Sequence, residues 1–398
     1  DVYMNKKIKI LLTIAVIAMV YSCNKPSNND WLKTAIDRSG EQLLNAAETF
    51  KDSLKNPRTF ENGKVKLVGE KDWTSGFFPG SLWYMYELTQ NEKFKTEAQH
   101  YTSLLDSAQY RTNTHDLGFI IYCSYGNGFR LTADSTYKRI MLNGAKTLMT
   151  RYNSKIGLIR SWDFNKDIWQ YPVIIDNMMN LEFLFWASKV SGDSTMKAAC
   201  ISHADKTIAN HYRPDNSCFH VVDYDTITFM PRLKQTHQGY SDSSSWVRGQ
   251  AWGLYSYTMM YRETKDEKYL DQAQKIAAFI LNHRRLPEDK IPYWDFDAPN
   301  IPSEPRDASA AAVIASALLE LNSYVPENKT YFTTAETILK NLSSDEYLSA
   351  KGENGLFILK HSTGNWPKKS EIDTPLNYAD YYFLEALGRY MKVKGLEE

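Results

Sequence analysis

Two aspartates, Asp116 and Asp176, stand beside apolar segments in which an unpaired carboxylate is unfavourable. Asp176 lies in the run VIIDNMMNL, residues 173–181, where desolvation without a partner would cost on the order of several kcal/mol. Asp116 directly precedes LGFIIY. If the two carboxylates face each other, repulsion raises the pKa of one of them, and a carboxylic acid that stays protonated near neutral pH is a general acid. The alternative for each aspartate is a helix N-cap.

The stretch HQGYSDSSSWVRGQAWGLY, residues 237–255, combines aromatic, cationic and amide side chains. Its serine-rich part precedes an apolar run, which predicts a loop that leads into a helix, with Ser243, Ser244 or Ser245 as the N-cap. Aromatic rings, a fixed cation and amides at the start of a helix suit a neutral sugar ring with an anionic group, that is, a uronic acid. The candidate binding residues in this stretch are His237, Gln238, Arg248 and Trp252.

Several of these side chains also have a structural interpretation. Arg248 is either a clamp for a substrate carboxylate or the partner of an acidic residue. Trp73 and Trp252 are either stacking platforms for a sugar or members of the core. Asp307 and Asp380 are expected to cap helices or to support neighbouring groups. For the whole stretch, the alternative is a core helix with buried tryptophans, in which Arg248 would be unfavourable without a partner.

Composition narrows the class of function. The chain has 398 residues, of which 43% are hydrophobic, and Lys+Arg and Asp+Glu are both 47, so the formal net charge is zero. This balance argues against nucleic acid or an anionic membrane surface as the main partner. Aromatic residues make up 13%, with 10 Trp and 26 Tyr, which favours a carbohydrate cleft. The chain has no HExxH motif and no P-loop, and Cys123, Cys200 and Cys218 lack zinc spacing, so we expect no metal and no nucleotide cofactor.

The N-terminal segment 1–23 has the pattern of a targeting signal. Basic residues precede the apolar run 10–20, which is too short for a comfortable membrane-spanning helix, and Cys23 follows a small residue. The pattern resembles a bacterial lipoprotein signal, in which Cys23 would carry the lipid and provide the contact with the membrane. We expect residues 24–30 to be a polar tether and residues 31–398 to form a single domain. We also expect export to the periplasm or to the outer membrane.

One local pattern recurs along the chain: an apolar helix ends, a polar turn follows, and Phe, Tyr or Met opens an amphipathic helix. Every second helix, from the one at 75–89 onward, is apolar nearly all round, as is typical of interior helices. Six inner and six outer helices predict an all-α fold, an (α/α)6 barrel, with minor β-hairpins such as Cys218 to Phe229 in the loops. The candidate residues should then converge on one mouth of the barrel. The predicted helices lie near 31–53, 75–89, 92–108, 116–131, 134–151, 174–190, 195–211, 245–264, 267–284, 306–323, 328–343 and 375–392.

Five ordered blocks resemble glycoside hydrolase family 88, the unsaturated glucuronyl hydrolases. The blocks are DWTSGFFPGSLWYMYELT, HDLGF, IIDNMMNLEFLFWAS, HQGYSDSSSWVRGQAWGLY and LNYADYYFLEALGRY, and the resemblance extends from near Trp31 to Tyr390. It implies an (α/α)6 barrel that acts on sugars with a lyase-generated double bond between carbons 4 and 5. In such an enzyme an acid protonates carbon 4, water adds at carbon 5, and the resulting hemiketal opens and expels the remaining sugar.

The same resemblance implies roles for individual residues. Asp176 would be the general acid and base. Asp116 would be the second essential carboxylate, which bonds the sugar and tunes Asp176. The subsite for the unsaturated sugar would be lined by Trp73, His115, His220, His237, Gln238, Arg248 and Trp252.

The loop KHSTGNWPKKSEID, residues 360–373, is the candidate for recognising the next sugar. Ser362, Thr363 and Lys368 could hold a sulphate group, because hydroxyls and a lysine suit a compact anion. The alternative is a solvated loop without a binding role.

We therefore predict a hydrolase that releases 4,5-unsaturated uronic acid from the non-reducing end of lyase-generated glycosaminoglycan oligosaccharides. Two other functions fit parts of the sequence. An unsaturated rhamnogalacturonyl hydrolase would have the same barrel and chemistry but would act on pectin fragments, and the block around residues 237–252 favours the glucuronyl side. A non-catalytic glycan-binding lipoprotein would use the same aromatic mouth, but it would not need both Asp116 and Asp176.

Overall fold

The computed structural model describes residues 30–396. The predicted signal 1–23 and the tether up to residue 29 therefore lie outside the described residues. Within residues 30–396, no helix combines the length and the apolar character that crossing a membrane requires.

Twelve α-helices form the described part of the chain, in close agreement with the predicted positions. A π-helical segment, Gly118–Gly126, leads into the fourth helix, and a 3₁₀ helix, Ile175–Asn180, leads into the sixth. The α-helices are α1 (Asp30–Phe50), α2 (Phe77–Thr89), α3 (Glu92–Ser103), α4 (Asn127–Thr132), α5 (Ser135–Met149), α6 (Leu181–Ser191), α7 (Ser194–His211), α8 (Val247–Thr264), α9 (Glu267–Leu281), α10 (Ala308–Tyr324), α11 (Lys329–Leu342) and α12 (Asn377–Lys394).

A two-residue device turns the chain between the helices of a hairpin. Helix α2 ends at Gln90, whose backbone is left-handed with φ of 54°, and the side chain of Asn91 then accepts a hydrogen bond from the N–H of Lys93 and caps α3. A left-handed residue stops a helix, and an Asn or Asp side chain satisfies the free N–H groups of the next one. The same arrangement, a left-handed residue followed by a capping residue, recurs at Ala133–Asp134, Gly192–Asp193 and Lys265–Asp266.

The helices form two concentric layers, as predicted. The inner layer runs in the order α2, α4 with its π-helical start, α6 with its 3₁₀ start, α8, α10 and α12, and α12 packs back against α2. Helix α10 buries nearly every residue, whereas the outer α9 buries Tyr269, Ala273, Ile276 and Ile280 along one face. This difference in burial is what separates an interior helix from a surface helix. The prediction of an all-α (α/α)6 barrel is confirmed.

Short antiparallel strands lie in the loops before four of the inner helices, α2, α6, α8 and α12, which confirms the predicted minor hairpins. A three-stranded sheet has the order β5–β6–β7, and the predicted strand segment 218–229 contains its central strand. The strands are β1 (Asn56–Glu61), β2 (Lys64–Val68), β3 (Tyr152–Asn153), β4 (Leu158–Ile159), β5 (Pro172–Ile174), β6 (Val221–Tyr224), β7 (Pro231–Gln235), β8 (Ser362–Asn365) and β9 (Ser370–Thr374).

The predicted serine N-cap of α8 is wrong. The helix begins after Trp246, which is held in an extended bridge to Asp295, and no side chain caps it. The hydroxyl of Ser244 donates to Asp295 Oδ2 at 2.8 Å, and the N–H of Ser245 donates to Asp297 Oδ2 at 2.9 Å. Ser244 and Ser245 therefore bond the distant carboxylates of Asp295 and Asp297 rather than the first turn of α8.

Candidate active site

Asp176 lies at the barrel end formed by the N-terminal ends of the inner helices, here called the N-terminal mouth. It is only 7% exposed and belongs to the 3₁₀ helix 175–180. The residue before this helix is Ile174, and no side chain caps it, so the N-cap alternative is wrong for Asp176. Its Oδ1 forms no hydrogen bond within the described part of the chain and lies 3.5 Å from Nε2 of His220. A buried carboxylate that caps nothing requires another explanation.

His220 presents a fixed proton to Asp176. Its Nδ1 accepts hydrogen bonds from the backbone N–H groups of His237 at 3.0 Å and Gln238 at 3.1 Å. An imidazole nitrogen that accepts two N–H groups carries no proton, so the proton of the neutral ring is on Nε2. The ring of Trp246 packs against His220 with 4.5 Å between centroids and fixes its orientation. His220 is therefore a hydrogen-bond donor aimed at the carboxylate of Asp176.

Asp116 is surrounded by donors and remains ionised. Its carboxylate accepts from the hydroxyl of Thr114 at 2.6 Å, and Nε2 of His115 lies 3.1 Å from Oδ1. Burial alone would raise the pKa of Asp116, but His115, Thr114 and the charge of Arg111 outweigh it, so the pKa is lowered. The carboxylate of Asp116 thus contacts the two residues that precede it in the sequence, and it does not cap the π-helical segment that follows.

Ser161 holds the segments of both aspartates in one backbone frame. The N–H of His115 donates to Ser161 O at 3.1 Å, and the N–H of Ser161 donates to Pro172 O at 2.9 Å. The hydroxyl of Ser161 also accepts from the N–H of Ile174 at 2.9 Å. The two aspartates therefore approach the mouth from neighbouring segments whose separation is set by hydrogen bonds.

A second contact joins the same two segments just inside the barrel. The N–H of Phe119 donates to Asn180 Oδ1 at 3.0 Å. A Cβ at Gly118 would lie 2.6 Å from that oxygen, so this close approach requires glycine. The π-helical start of one inner helix and the 3₁₀ start of the next therefore meet directly.

Arg248 is buried and bonded to neighbouring protein groups. Its Nη1 lies 2.7 Å from Asp307 Oδ2 and donates to Thr363 O at 2.6 Å, and its Nη2 donates to Gly364 O at 2.6 Å. Asp307 also caps α10, as predicted, through Oδ1 and the N–H of Ser309. Of the two interpretations of Arg248, these contacts match a pairing with an acidic residue.

The two candidate tryptophans differ in exposure. Trp252 has no exposed surface and packs 5.4 Å from both Phe119 and Tyr382 between ring centroids, so it belongs to the core, and the stacking interpretation is wrong in this structure. Trp73 is half-buried and lies 5.0 Å from Tyr378. Only Trp73 presents part of its ring outside the core.

An aromatic wall that the sequence analysis missed flanks His237. It consists of Trp162, Phe164 and Trp169, whose rings lie 5.3, 5.7 and 5.7 Å from the ring of His237. Phe164 is 45% exposed and stacks on Trp162 at 4.6 Å. Three aromatic residues within one polar loop were the available signal for this wall.

Burial and the neighbouring charges of the mouth keep His237 neutral. Its pKa is lowered to about 4, first by burial and then by His220 and Lys368. Gln238 lies beside it and donates from Nε2 to Gly364 O at 3.1 Å. Gln238 therefore connects the segment that follows β7 with the hairpin of β8 and β9, here called the 362–374 hairpin.

The 362–374 hairpin separates the three residues that we expected to hold a sulphate, because Ser362 and Thr363 are buried in β8 and Lys368 lies in the turn. Ser362 is fully buried in β8, so the prediction of a contact with a substrate group is wrong for Ser362 in this structure. Lys368 is exposed in the turn, and its Nζ lies 6.0 Å from the centroid of the Phe164 ring. The tip of the hairpin thus reaches the aromatic wall.

Several of the buried polar atoms that have no hydrogen-bond partner among residues 30–396 lie together at the N-terminal mouth. Because native proteins satisfy most buried polar atoms, such a group marks a place for water or a polar ligand. The same part of the chain has no group of three or more His, Cys, Asp and Glu side chains arranged for a metal ion. The unpartnered atoms at the mouth include His115 Nδ1, Asp176 Oδ1, Asn177 Oδ1, Asn180 Nδ2, His220 Nε2, both amide atoms of Gln250, Trp252 Nε1 and Tyr378 OH.

Known proteins share both the sequence and the barrel. The sequence profile of Glycosyl Hydrolase Family 88 matches residues 46–386. The chain is 53% identical over 326 residues to an unsaturated glucuronyl hydrolase of Formosa agariphila, with 82% of this chain and 81% of that protein covered. The range matched by the family profile contains both aspartates of the mouth.

Solved structures of unsaturated glucuronyl hydrolases also superpose on this chain. An unsaturated glucuronyl hydrolase specific for heparin superposes with a TM-score of 0.91 at 53% identity, covering 93% of this chain and 99% of that chain. An unsaturated glucuronyl hydrolase variant of Streptococcus agalactiae complexed with dGlcA-GalNAc6S superposes with a TM-score of 0.78 at 30% identity, covering 90% of this chain and 91% of that chain.

Proposed function

Since the chain belongs to glycoside hydrolase family 88 and is an enzyme of the unsaturated glucuronyl hydrolase kind, we propose that it releases 4,5-unsaturated uronic acid from the non-reducing end of lyase-generated glycosaminoglycan fragments. The observation that carries this proposal is the buried Asp176, whose Oδ1 faces Nε2 of His220 and forms no hydrogen bond within the described residues. The family match favours this function over a pectin-directed hydrolase and over a non-catalytic lipoprotein.

Asp176 acts as the acid and then as the base. Its proton is transferred to carbon 4 of the vinyl ether, which leaves positive charge shared by carbon 5 and the ring oxygen. Water then adds at carbon 5 and gives a proton to the Asp176 carboxylate, so the acid is regenerated. The hemiketal opens, and the bond to the remaining sugar breaks. The Nε–H of His220 supports the carboxylate form between the two transfers.

Asp116 supplies a fixed negative charge. Because Thr114 and His115 keep its carboxylate ionised, Asp116 stabilises the positive charge that develops when carbon 4 is protonated. It also accepts a hydrogen bond from a hydroxyl of the unsaturated sugar. The two carboxylates therefore have different roles because they have different neighbours.

The first experiment follows the ultraviolet band of the conjugated double bond. Unsaturated disaccharides from chondroitin, hyaluronan and heparin digests are incubated with the wild type and with Asp176→Asn. We expect the band to disappear with the wild type and to persist with the variant. Loss of the band only with an unsaturated rhamnogalacturonan disaccharide would assign the pectin-directed activity instead. An unchanged band with every substrate would reject the enzymatic proposal.

We further propose that Lys368 contacts an anionic group on the second sugar. Its exposed ammonium group lies at the tip of the 362–374 hairpin, close to Phe164 on the aromatic wall. Relatives with solved structures include one described as specific for heparin and one complexed with dGlcA-GalNAc6S, and both names involve sulphated or anionic sugars. A sulphated second sugar is therefore the substrate class that we assign to this chain.

We propose export and lipid attachment at Cys23, which lies outside the described residues. The support is the sequence pattern of basic residues, the apolar run 10–20 and a following cysteine. Membrane fractionation of cells that produce the wild type or Cys23→Ser tests this proposal. Membrane association of the wild type and release of the variant are expected. Equal recovery of both proteins in the soluble fraction would reject the lipid anchor.

A further inference from the structure

Arg58 joins two parts of the N-terminal mouth that are distant in the sequence. It lies in β1, and its Nε and Nη2 donate to the two carboxylate oxygens of Glu371 at 2.5 and 2.9 Å. Its Nη1 donates to Asp72 Oδ2 at 2.7 Å. Glu371 belongs to the 362–374 hairpin, and Asp72 directly precedes Trp73. One guanidinium group therefore bonds both the hairpin and the segment that carries the half-buried tryptophan.

The contact with Asp72 fixes the turn that contains Trp73. Asp72 Oδ1 accepts from the N–H of Thr74 at 2.9 Å and from its hydroxyl at 2.7 Å. Arg58 occupies the other oxygen of Asp72. The ring of Trp73 extends from this turn and lies 5.0 Å from Tyr378. The orientation of Trp73 at the mouth thus depends on a carboxylate that Arg58 holds.

The contact with Glu371 extends to Gly364 on the opposite strand of the hairpin. A Cβ at Gly364 would lie 2.5 Å from Glu371 Oε2, so the glutamate side chain crosses directly over this glycine. The carbonyl of Gly364 accepts from Arg248 at 2.6 Å and from Gln238 at 3.1 Å. Glu371 itself is 2% exposed, and its N–H donates to Glu61 Oε1 at 2.7 Å.

We propose that Arg58 is a positioning residue for the second-sugar side of the site. It sets the distance between the Trp73 turn and the 362–374 hairpin, and through Glu371 and Gly364 it places Lys368 relative to the aromatic wall. This inference rests on the function proposed above, in which Lys368 contacts the second sugar. Lysine cannot replace Arg58 in this role. The planar guanidinium group bonds both carboxylate oxygens of Glu371 and one oxygen of Asp72 at fixed angles, and a single ammonium group cannot reproduce that geometry.

Arg58→Lys tests the inference with the charge retained. We expect KM for a sulphated unsaturated disaccharide to rise about tenfold, with kcat within about twofold of the wild type, because ground-state positioning is lost and the two aspartates are unaffected. The preference for the sulphated over the unsulphated disaccharide should fall by a similar factor. A merely structural role would lower the amount of active protein and leave KM and this preference unchanged.

Arg389→Lys is the matched control. Arg389 also bonds two glutamates, Glu320 and Glu385, but it lies at the opposite end of the barrel. This control variant should keep the KM and the sulphate preference of the wild type even where its melting temperature is lowered.

Trypsin cleavage in the turn of the 362–374 hairpin provides a readout that does not depend on activity. Lys368 and Lys369 lie in this turn, and we expect faster cleavage there in Arg58→Lys than in Arg389→Lys. If the wild type is active and Arg58→Lys has the same KM as the wild type, the positioning role of Arg58 is rejected and the proposed function is not. An inactive wild type would reject the proposed function and, with it, the role of Arg58.

Discussion

Both ends of the barrel bury polar side chains, but the two ends differ in whether those side chains have bonding partners within the protein. At the end formed by the C-terminal ends of the inner helices, here called the C-terminal end, Arg262 and Arg389 bond Glu320 at 2.9 and 3.0 Å. The carboxylate of Glu385 accepts from the hydroxyls of Tyr84 at 2.7 Å and Tyr255 at 3.1 Å. At the N-terminal mouth, by contrast, several buried polar atoms have no partner among the described residues.

This difference distinguishes a structural charge network from a functional site. A cavity of about 950 Å³ opens at the C-terminal end, lined by tyrosines and by Glu182, Glu385 and Arg389, so size and charge alone would point there. Its charged side chains, however, already satisfy one another. Because catalysis needs groups that are free to bond the reacting molecule, the unpartnered atoms around Asp176 identify the site better than the cavity does.

Asp176→Asn should produce the largest effect on turnover. The amide keeps the shape of the side chain but cannot transfer a proton, so we expect kcat to fall by about 10²- to 10⁴-fold. The free energy of unfolding should stay the same or rise, because a buried carboxylate without a bonded partner is removed. Loss of the ultraviolet band measures turnover, and denaturant unfolding measures stability. Turnover within about tenfold of the wild type would exclude Asp176 as the acid.

Glu320→Ala at the C-terminal end should have the opposite effect: it should lower stability and leave turnover nearly unchanged. It leaves Arg262 and Arg389 without their shared carboxylate, and breaking a buried ion pair in this way costs about 3 kcal/mol in the free energy of unfolding. Activity per folded molecule should remain close to that of the wild type. Denaturant titration and active-site-normalised turnover test both parts. A large loss of kcat with unchanged stability would contradict the division between the two ends.

Lys368→Met should have a smaller effect, confined to substrate preference. Removal of one exposed ammonium group should lower kcat/KM for a sulphated disaccharide by about tenfold and leave the unsulphated one nearly unchanged. Lys392→Met is the control, since Lys392 is also an exposed lysine but lies beside the cavity at the C-terminal end. If both variants changed the preference equally, the effect would come from net charge rather than from contact at the mouth.

The barrel could be predicted because its turning device is local. A left-handed residue followed by a capping Asn or Asp, as in Gln90–Asn91, occupies neighbouring positions in the sequence. The two aspartates were also visible locally, since each stands beside an apolar run. In both cases the informative residues lie within a few positions of one another, and no distant contact alters their meaning.

The missed parts of the site depend on contacts between distant segments. The wall of Trp162, Phe164 and Trp169 reaches His237 only because β5, β6 and β7 pair across more than one loop. The pairing of Arg248 with an acidic residue could be foreseen, but not that the partner would be Asp307 on another inner helix. Sequence spacing does not encode such neighbours.

The smallest predicted effect concerns an exposed pair at the base of the 362–374 hairpin. His361 Nδ1 lies 2.6 Å from Asp373 Oδ1, and this hydrogen bond raises the pKa of His361 against the opposing effect of burial and lowers the pKa of Asp373. The stabilisation is therefore present between about pH 4 and 6.5. It is lost as the pH rises through the raised pKa of His361 or falls through the lowered pKa of Asp373.

Melting temperatures of the wild type and Asp373→Asn at pH 5.5 and pH 8.5 test this sign. We expect the wild type to be more stable at pH 5.5 by less than about 1 kcal/mol, because half-exposed pairs are screened by solvent, and the difference to vanish at pH 8.5. Asp37→Asn is the control, since Lys33 is its partner at 2.5 Å and a lysine keeps its charge at both pH values. If the wild type were still more stable than Asp373→Asn at pH 8.5, the neutral imidazole of His361 would support the hairpin as well as the charged one does. The buried pairs of the C-terminal end should show no such pH dependence, because their arginines keep their charge at both pH values.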